Sequence, residues 1–422
     1  MHLAPTERRQ RLRTELRAYF AAVLPEGGGR RDDPAEQRRL LRRIGADSLL
    51  GLGRPVAYGG QGRGPDEQFV FFDEAYRAGA PVSMVTLNTV GPTLMKYGTE
   101  ELKAYFLPRI LSGDLVFAIG YSEPEAGTDL AALRTRVLRT RVLRTRVLRT
   151  RALRTRALRT RALRDGDDWV IDGQQAFTSN AQQADWIWLA CRTDLDAPRH
   201  RGISIILVPT DDPGFSWTPV ETVGGLTTTA TYDDGVRVPA PNLVGAENDG
   251  WGLITNQLNH ERVAQAAIGM QAEDFSEEAL AHARTPDPAT GRRRIDEPWV
   301  RARLAEAYAR LAATRLLNWR LVGAVGAGAP APGEASGVKF AGTESAVEVY
   351  RMCQEVVGEA AFLRGGSPGC SGADGGGGGA GGGGELERMN RAAQINTFGG
   401  GVSEVRREMV ATMRLGMTRG RR

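Results

Sequence analysis

The spacing of apolar residues changes twice along the chain, and that change limits the folds open to it. From residue 1 to about 115, RLRTELRAYFAAVL, DEQFVFFDEAYRAG and TEELKAYFLPRIL repeat apolar residues at intervals of three and four, which marks amphipathic helices. From about 116 to 245 the pattern becomes short β-rich runs, LVFAIGYS, DWVIDG, DWIWLACRT, ISIILVPT and FSWTPVETV, separated by Gly, Asp and Pro turns. After Gly250 the helical interval returns in NQLNHERVAQAAIGMQAEDFSEEALAHA, VRARLAEAYARLAATRLLNWRLV and SEVRREMVATMRLGM. The expected fold class is α+β multidomain. It comprises an N-terminal α-helical domain at 1–115, a middle β-barrel or sandwich at 116–245, and a C-terminal four-helix bundle at 246–422.

One segment accounts for the basic charge. Residues Arg134 to Leu163 are six tandem five-residue units, three RTRVL and three RTRAL. With one unit kept and five removed, ten arginines go, and the net charge of +5 becomes −5. A five-residue period advances a helix by roughly 140° per unit and flips the face of a strand at every unit. Neither regular structure then accumulates a buried side, so the repeat is expected as a solvated insertion. An arginine array for nucleic acid is the competing reading, with an attraction that would be salt-dependent and unspecific.

Two further segments read as connectors: the glycine-rich stretch 365–384 and the Pro/Asp/Gly break around Ala283 to Pro298. Cys191, Cys353 and Cys370 lack metal-ligand spacing, and the four histidines, at 2, 200, 260 and 282, are scattered. Neither a disulfide framework nor a metal site is expected. No apolar run reaches membrane-spanning length and the N-terminus has no signal-peptide core, so a cytoplasmic protein without membrane contact is expected. Near the C-terminus, NTFGGGVSEVRRE sets three glycines before a helical pattern. They suit a turn, a close backbone approach to a ligand, or a place where a catalytic side chain is lost.

Five segments occur in an order that resembles the acyl-CoA dehydrogenase family. They are PVAYGGQG (55–62), KYGTEELKAYFLPRILSGDLVFAIGYSEPEAGTDLAAL (96–133), DGDDWVIDGQQAFTSNAQQADW (165–186), VRVPAPNLVGAENDGWG (236–252) and LNHERV (258–263). The resemblance spans nearly the whole chain outside the insertions. It implies an FAD enzyme that oxidises an acyl-CoA thioester to the Cα=Cβ enoyl product. A carboxylate takes the α-proton, donors meet charge on the thioester oxygen, and the flavin accepts hydride at N5. Electron-transfer flavoprotein would be the electron acceptor.

By the same resemblance, Ile119, Tyr121 and Ser122 would line the flavin ring, and Phe177 and Ser179 would flank its dimethylbenzene and N5 regions. Thr128 would touch the thioester ligand. The plainer reading makes Phe177 barrel core and gives Ser122 and Ser179 to turn backbone. The family's usual glutamate base before the last long helix is here Gly400. Some members carry the base directly before an arginine on the helix that follows the barrel, where this chain has Glu261 before Arg262. Glu261 is therefore the expected catalytic base, with Arg262 organising local charge and Gly400 meeting the ligand with bare backbone.

Two departures bear on assembly. The family's Arg-x-x-Phe-Gly segment, which grips a neighbouring subunit's FAD, is replaced by TGRRRIDEPWVR, and a second glycine-rich stretch is reduced to QEVVGEAAFL. This resembles partner-requiring dehydrogenases that form α2β2 tetramers, some acting on sterol side-chain CoA esters, with a homo-oligomer as the other possibility. A noncatalytic partner subunit and an acyl-CoA oxidase are the alternative functions.

Overall fold

A computed structural model describes residues 6–25, 33–124, 160–197, 201–255, 257, 267, 269–328, 331–365, 367–368 and 384–418. The first domain is helical. Helix α1 (Glu7–Val23) starts where Thr6 Oγ1 accepts the Arg9 N–H, and it buries Leu12, Leu16 and Phe20 at four-residue spacing. Helix α2 (Pro34–Ala46) has Asp33 as N-cap and proline in its first turn, and α5 (Glu100–Leu111) is capped by Thr99. Between them lie α3 (Pro65–Arg77), a π-helical turn at Val85–Val90, and α4 (Gly91–Tyr97).

Helix α3 runs through the middle of this domain and buries acids as well as phenylalanines. Glu67, Asp73 and Glu74 are at most 3% exposed, and arginines meet them: Arg8 on Glu67, Arg13 and Arg77 on Asp73, Arg17 on Glu74. The pairing offsets part of the cost of burying these carboxylates.

The middle domain is one eight-stranded sheet. Its strands are β1 (Phe117–Gly120), β2 (Arg161–Asp165), β3 (Asp168–Gln175), β4 (Trp186–Arg192), β5 (Ile203–Pro209), β6 (Phe215–Glu221), β7 (Thr227–Pro239) and β8 (Leu243–Val244). The order is β6-β7-β3-β2-β4-β5-β8, with β1 parallel to β4. Strands β4 and β5 serve two cores at once. Trp188, Ala190, Ile205 and Leu207 pack with the N-terminal helices, whereas Ile187, Leu189, Ile206 and Val208 pack within the sheet domain. Covered on both faces, these strands read as unbroken apolar runs.

Two expectations need correction. The repeat at 134–163 is not solvated to its end, because its last unit enters the sheet: Ala162 is fully buried, Arg161 pairs with Asp172, and Thr160 is 0% exposed. The other units lie outside the described residues. Strand β7, the longest in the sheet, was not anticipated. Its DDG reads as a turn, yet Asp233 and Asp234 pair with β3 and Gly235 (φ 66°) forms a bulge where the register shifts.

The third domain begins with helical residues 250–255 (α6) and continues through α7 (Ala272–Arg284), α8 (Pro298–Gly326), α9 (Pro332–Val357), α10 (Glu385–Ala393) and α11 (Ser403–Met409). Phe275, Leu311, Tyr350 and Leu386 share its core. Most of the glycine-rich stretch lies outside the described residues.

Candidate functional site

The segment that follows β1 meets the loop after β3. Ser122 and Ala176 form an isolated antiparallel bridge, with Ala176 N–H donating to Ser122 O at 2.7 Å. This bridge sets the AIGYS segment beside the QAFTSN segment, as the sequence reading required. The Ser122 hydroxyl has no hydrogen-bond partner among the described residues.

Phe177 is not barrel core. Its backbone is left-handed (φ 58°), and its ring is 69% exposed. An L-residue with a large side chain rarely takes that conformation unless the surroundings impose it. Here β7 imposes it through threonine hydroxyls. Thr178 N–H donates to Thr229 O at 2.9 Å, Thr229 Oγ1 donates to Thr178 O at 2.5 Å, and Thr178 Oγ1 lies 3.3 Å from Thr231 Oγ1. Ser179 is exposed and shares a 3.1 Å hydrogen bond with Thr228 Oγ1. A buried residue thus anchors the loop while its neighbours stand out from it.

Ile119 and Tyr121 pack against the core shared with the N-terminal helices. The Tyr121 hydroxyl accepts from Trp188 Nε1 at 2.9 Å and donates to Gln257 Oε1 at 2.6 Å. Because indole can only donate, the phenol proton is left for the amide oxygen. The chain of bonds runs from β4 through β1 to residue 257, four positions before Glu261. Gln257 is 1% exposed and its Nε2 has no partner among the described residues.

Next to the Ser122–Ala176 bridge a polar network joins the segments after β1 and before β2 to β3 and β7. Buried Glu123 accepts the Thr160 N–H at 2.9 Å, Gln175 Nε2 donates to Thr160 Oγ1 at 2.6 Å, and Thr231 Oγ1 donates to Gln175 Oε1 at 2.9 Å. On the same strand, burial raises the Asp233 carboxyl to about 7, with Gln175 opposing the rise and Asp172 and Asp212 adding to it. None of Trp188, Gln257, Glu123, Thr160 or the β7 threonines was singled out in the sequence. The TTTAT run preceding DDG was the available signal, since hydroxyl-bearing β-branched residues suit a strand whose interior is polar.

Gly400 and Gly401 both have positive φ, 66° and 101°. The Gly401 carbonyl accepts from Lys339 Nζ at 2.9 Å, and a Cβ on Gly401 would lie 2.9 Å from the Arg406 guanidinium. This turn is glycine-dependent for its own backbone. Thr128, Glu261 and Arg262 lie outside the described residues. Among the described residues there is no cluster of potential metal ligands and no helix long and apolar enough to cross a membrane.

Models of the acyl-CoA dehydrogenase N-terminal, middle and C-terminal domains match residues 6–114, 118–233 and 248–414. The chain is 45% identical over 442 residues to acyl-CoA dehydrogenase FadE26 of Mycobacterium tuberculosis, covering 100% of both proteins. Among solved structures, a chain of the "Tcur3481-Tcur3483 steroid ACAD" aligns with TM-score 0.85 and 48% identity over 100% of each chain. A chain of the ChsE4-ChsE5 complex from Mycobacterium tuberculosis aligns with TM-score 0.83 and 44% identity, again over 100% of each.

Proposed function

Since the chain belongs to the acyl-CoA dehydrogenase family, matched in all three domains, we propose that it is an FAD-dependent subunit that desaturates a bulky acyl-CoA, using Glu261 as base. The observation that carries the reading is the pairing of the two segments at the Ser122–Ala176 bridge. A flat aromatic cofactor fits there: Phe177 is held out from the sheet at 69% exposure, and the Ser122 hydroxyl is free of protein partners among the described residues. Ile119, Tyr121 and Ser122 would border the ring from β1, and Phe177 and Ser179 from the loop after β3. When bound, FAD supplies the acceptor for the hydride leaving Cβ.

The protein's own part is to hold the thioester and move one proton. Glu261 takes the α-proton, and Arg262, permanently charged, steadies the local field. Thr128 and the bare backbone at Gly400 are assigned to the thioester by the family resemblance. Gly400 has no side chain to act as a base, so a carboxylate must come from elsewhere, and Glu261 stands at the family's other position for it. The hydrogen-bond chain through Tyr121 to Gln257 ties the flavin-facing strand to the segment that leads to Glu261.

A second subunit is part of the proposal. Gln354 is buried with its Nε2 on Ala361 O at 3.0 Å, and Arg294 donates to Val356 O at 3.1 Å. Both are engaged within their own chain, at the two segments where the sequence departs from the family's grip on a neighbour's cofactor. Trp217, Val220, Val223 and Leu226 are all exposed around the turn between β6 and β7, an apolar surface suited to a partner. Two of the similar structures are described as two-component assemblies, one of them a steroid dehydrogenase, and a sterol-type acyl group agrees with that likeness.

The test is expression alone and with neighbouring dehydrogenase subunits, followed by FAD content and thioester oxidation. The partnered protein is expected to hold FAD and reduce an electron-transfer flavoprotein, and Glu261→Gln to lose at least a thousandfold in kcat while keeping FAD. Full activity in Glu261→Gln overturns the base assignment. Peroxide as the main reduced product would make the protein an oxidase.

A further inference from the structure

Beside the π-helical turn at Val85–Val90 the fold takes in the guanidinium of a half-buried arginine. Arg54 lies in the loop that leads into α3, and its Nη2 donates to Leu87 O at 2.6 Å and to Asn88 Oδ1 at 2.7 Å. Both acceptors are neutral. No carboxylate opposes the guanidinium among the described residues, and burial lowers it to about 10. Arg77 makes the contrast, for Asp73 and Glu273 meet it at 2.9 and 2.6 Å.

Around Arg54 the leftover polar atoms are three donors and the Thr89 hydroxyl, which can also donate. Arg54 Nε, Asn88 Nδ2 and Gln68 Nε2 are buried without partners, and Asn88 and Gln68 are only 2% and 3% exposed. The amide orientations follow from their bonds: Asn88 gives Oδ1 to Arg54, and Gln68 gives Oε1 to the Gly53 N–H at 2.7 Å. Buried donors left unpaired are rare and mark a missing acceptor. A guanidinium with the Asn88 amide against it matches a carboxylate, and the uncompensated charge favours an anion over a neutral carbonyl.

The place is connected to the candidate site. Thr86 Oγ1, on the same turn as Asn88, accepts the Phe117 N–H at 2.9 Å, which fastens the turn to β1 two residues before Ile119. Two residues of helix and two of strand amount to roughly 10–15 Å, a span that an acyl chain covers. The extra residue of a π turn is itself a frequent companion of binding sites.

We propose that Arg54 and Asn88 receive a carboxylate at the end of the acyl group remote from the thioester, so that the preferred ligand is the mono-CoA thioester of a dicarboxylic acid. This rests on the acyl-CoA reading above. The test titrates the FAD-loaded protein, with its partner subunit where one is needed, using dicarboxylic mono-CoA thioesters and neutral acyl-CoAs of equal length. The carboxylated probe is expected to bind at least tenfold more tightly. That ratio should fall towards one in Arg54→Gln, and also in Asn88→Asp, which sets a carboxylate of the protein's own on the guanidinium. Equal affinities in the unaltered protein overturn the proposal, as does a ratio that neither substitution changes. Oxidation is followed on the same samples. Discrimination without oxidation rejects the acyl-CoA dehydrogenation reading and leaves the anion site standing, while oxidation without discrimination does the reverse.

Discussion

Asp233 shows how one side chain can set the pH response of the sheet domain. Burial raises its carboxyl to about 7, and its Oδ2 has no partner. In the unfolded chain the same group ionises near 3.8. Its contribution is therefore fully present below about 3.8 and is lost as pH rises through 7. Asp233→Asn should flatten the melting temperature against pH over that window. It should also stabilise the protein at pH 8 by on the order of 2–4 kcal/mol, since each pKa unit is worth about 1.4 kcal/mol. A pH series of thermal unfolding for both proteins checks this, and parallel curves would mean that Asp233 is solvated. At Gly401 the expectation is the opposite sign. Alanine there meets both a φ of 101° and the Arg406 guanidinium, so Gly401→Ala should cost about 1–3 kcal/mol in denaturant unfolding.

Elements explain which parts of the fold were legible. Strands β4 and β5 announce themselves because each is apolar over most of its length, and α1 and α5 carry their stripes and caps in plain view. Strand β7 hides its identity, since a bulge glycine after two aspartates has the same letters as a hairpin turn. The site was legible only as motif: AIGYS and QAFTSN stand out, whereas the threonines that shape the loop were passed over, because the TTTAT run marks a strand without showing which hydroxyls pair across it. The repeat illustrates the same limit. Its last unit is held by Glu123 and Gln175 through Thr160, although its sequence is identical to that of the two units before it. Position alone distinguishes it. Removing residues 134–158 and keeping that unit should leave the sheet intact and gain about 1 kcal/mol from the shorter closure. Thr160→Val, with nothing removed, should cost about 1–3 kcal/mol by taking the Thr160 hydroxyl away from Gln175 Nε2. Melting temperatures of the two variants are expected to move in opposite directions, and a deletion that unfolds the protein would show that the earlier units are structural.

Across the whole molecule, the helical ends are joined by charge as well as by apolar packing. Arg77, at the end of α3, bonds Asp73 on its own helix and both Glu273 and Asp274 on α7. Glu273 is shared with Arg315 of α8 at 2.6 Å, so one buried arginine connects the N-terminal domain to two helices of the C-terminal bundle. On the other side, Arg38 of α2 reaches Asp185 and Gln183 O, both at 2.8 Å, and ties the same domain to the sheet. Loss of Arg77 would strand several carboxylates together in a poorly solvated space, and breaking a buried pair from one side typically costs about 3–5 kcal/mol. Arg77→Met retains much of the packing volume while removing the charge. The carboxylates left behind would bind protons more readily in the folded protein than in the unfolded chain, so the variant should recover stability as pH falls from 7.5 towards 5. Denaturant unfolding at both pH values is expected to show a gap between variant and parent that narrows in acid. A gap that stays constant would assign the loss to packing of the arginine stem, and the link between the helical domains would then be apolar.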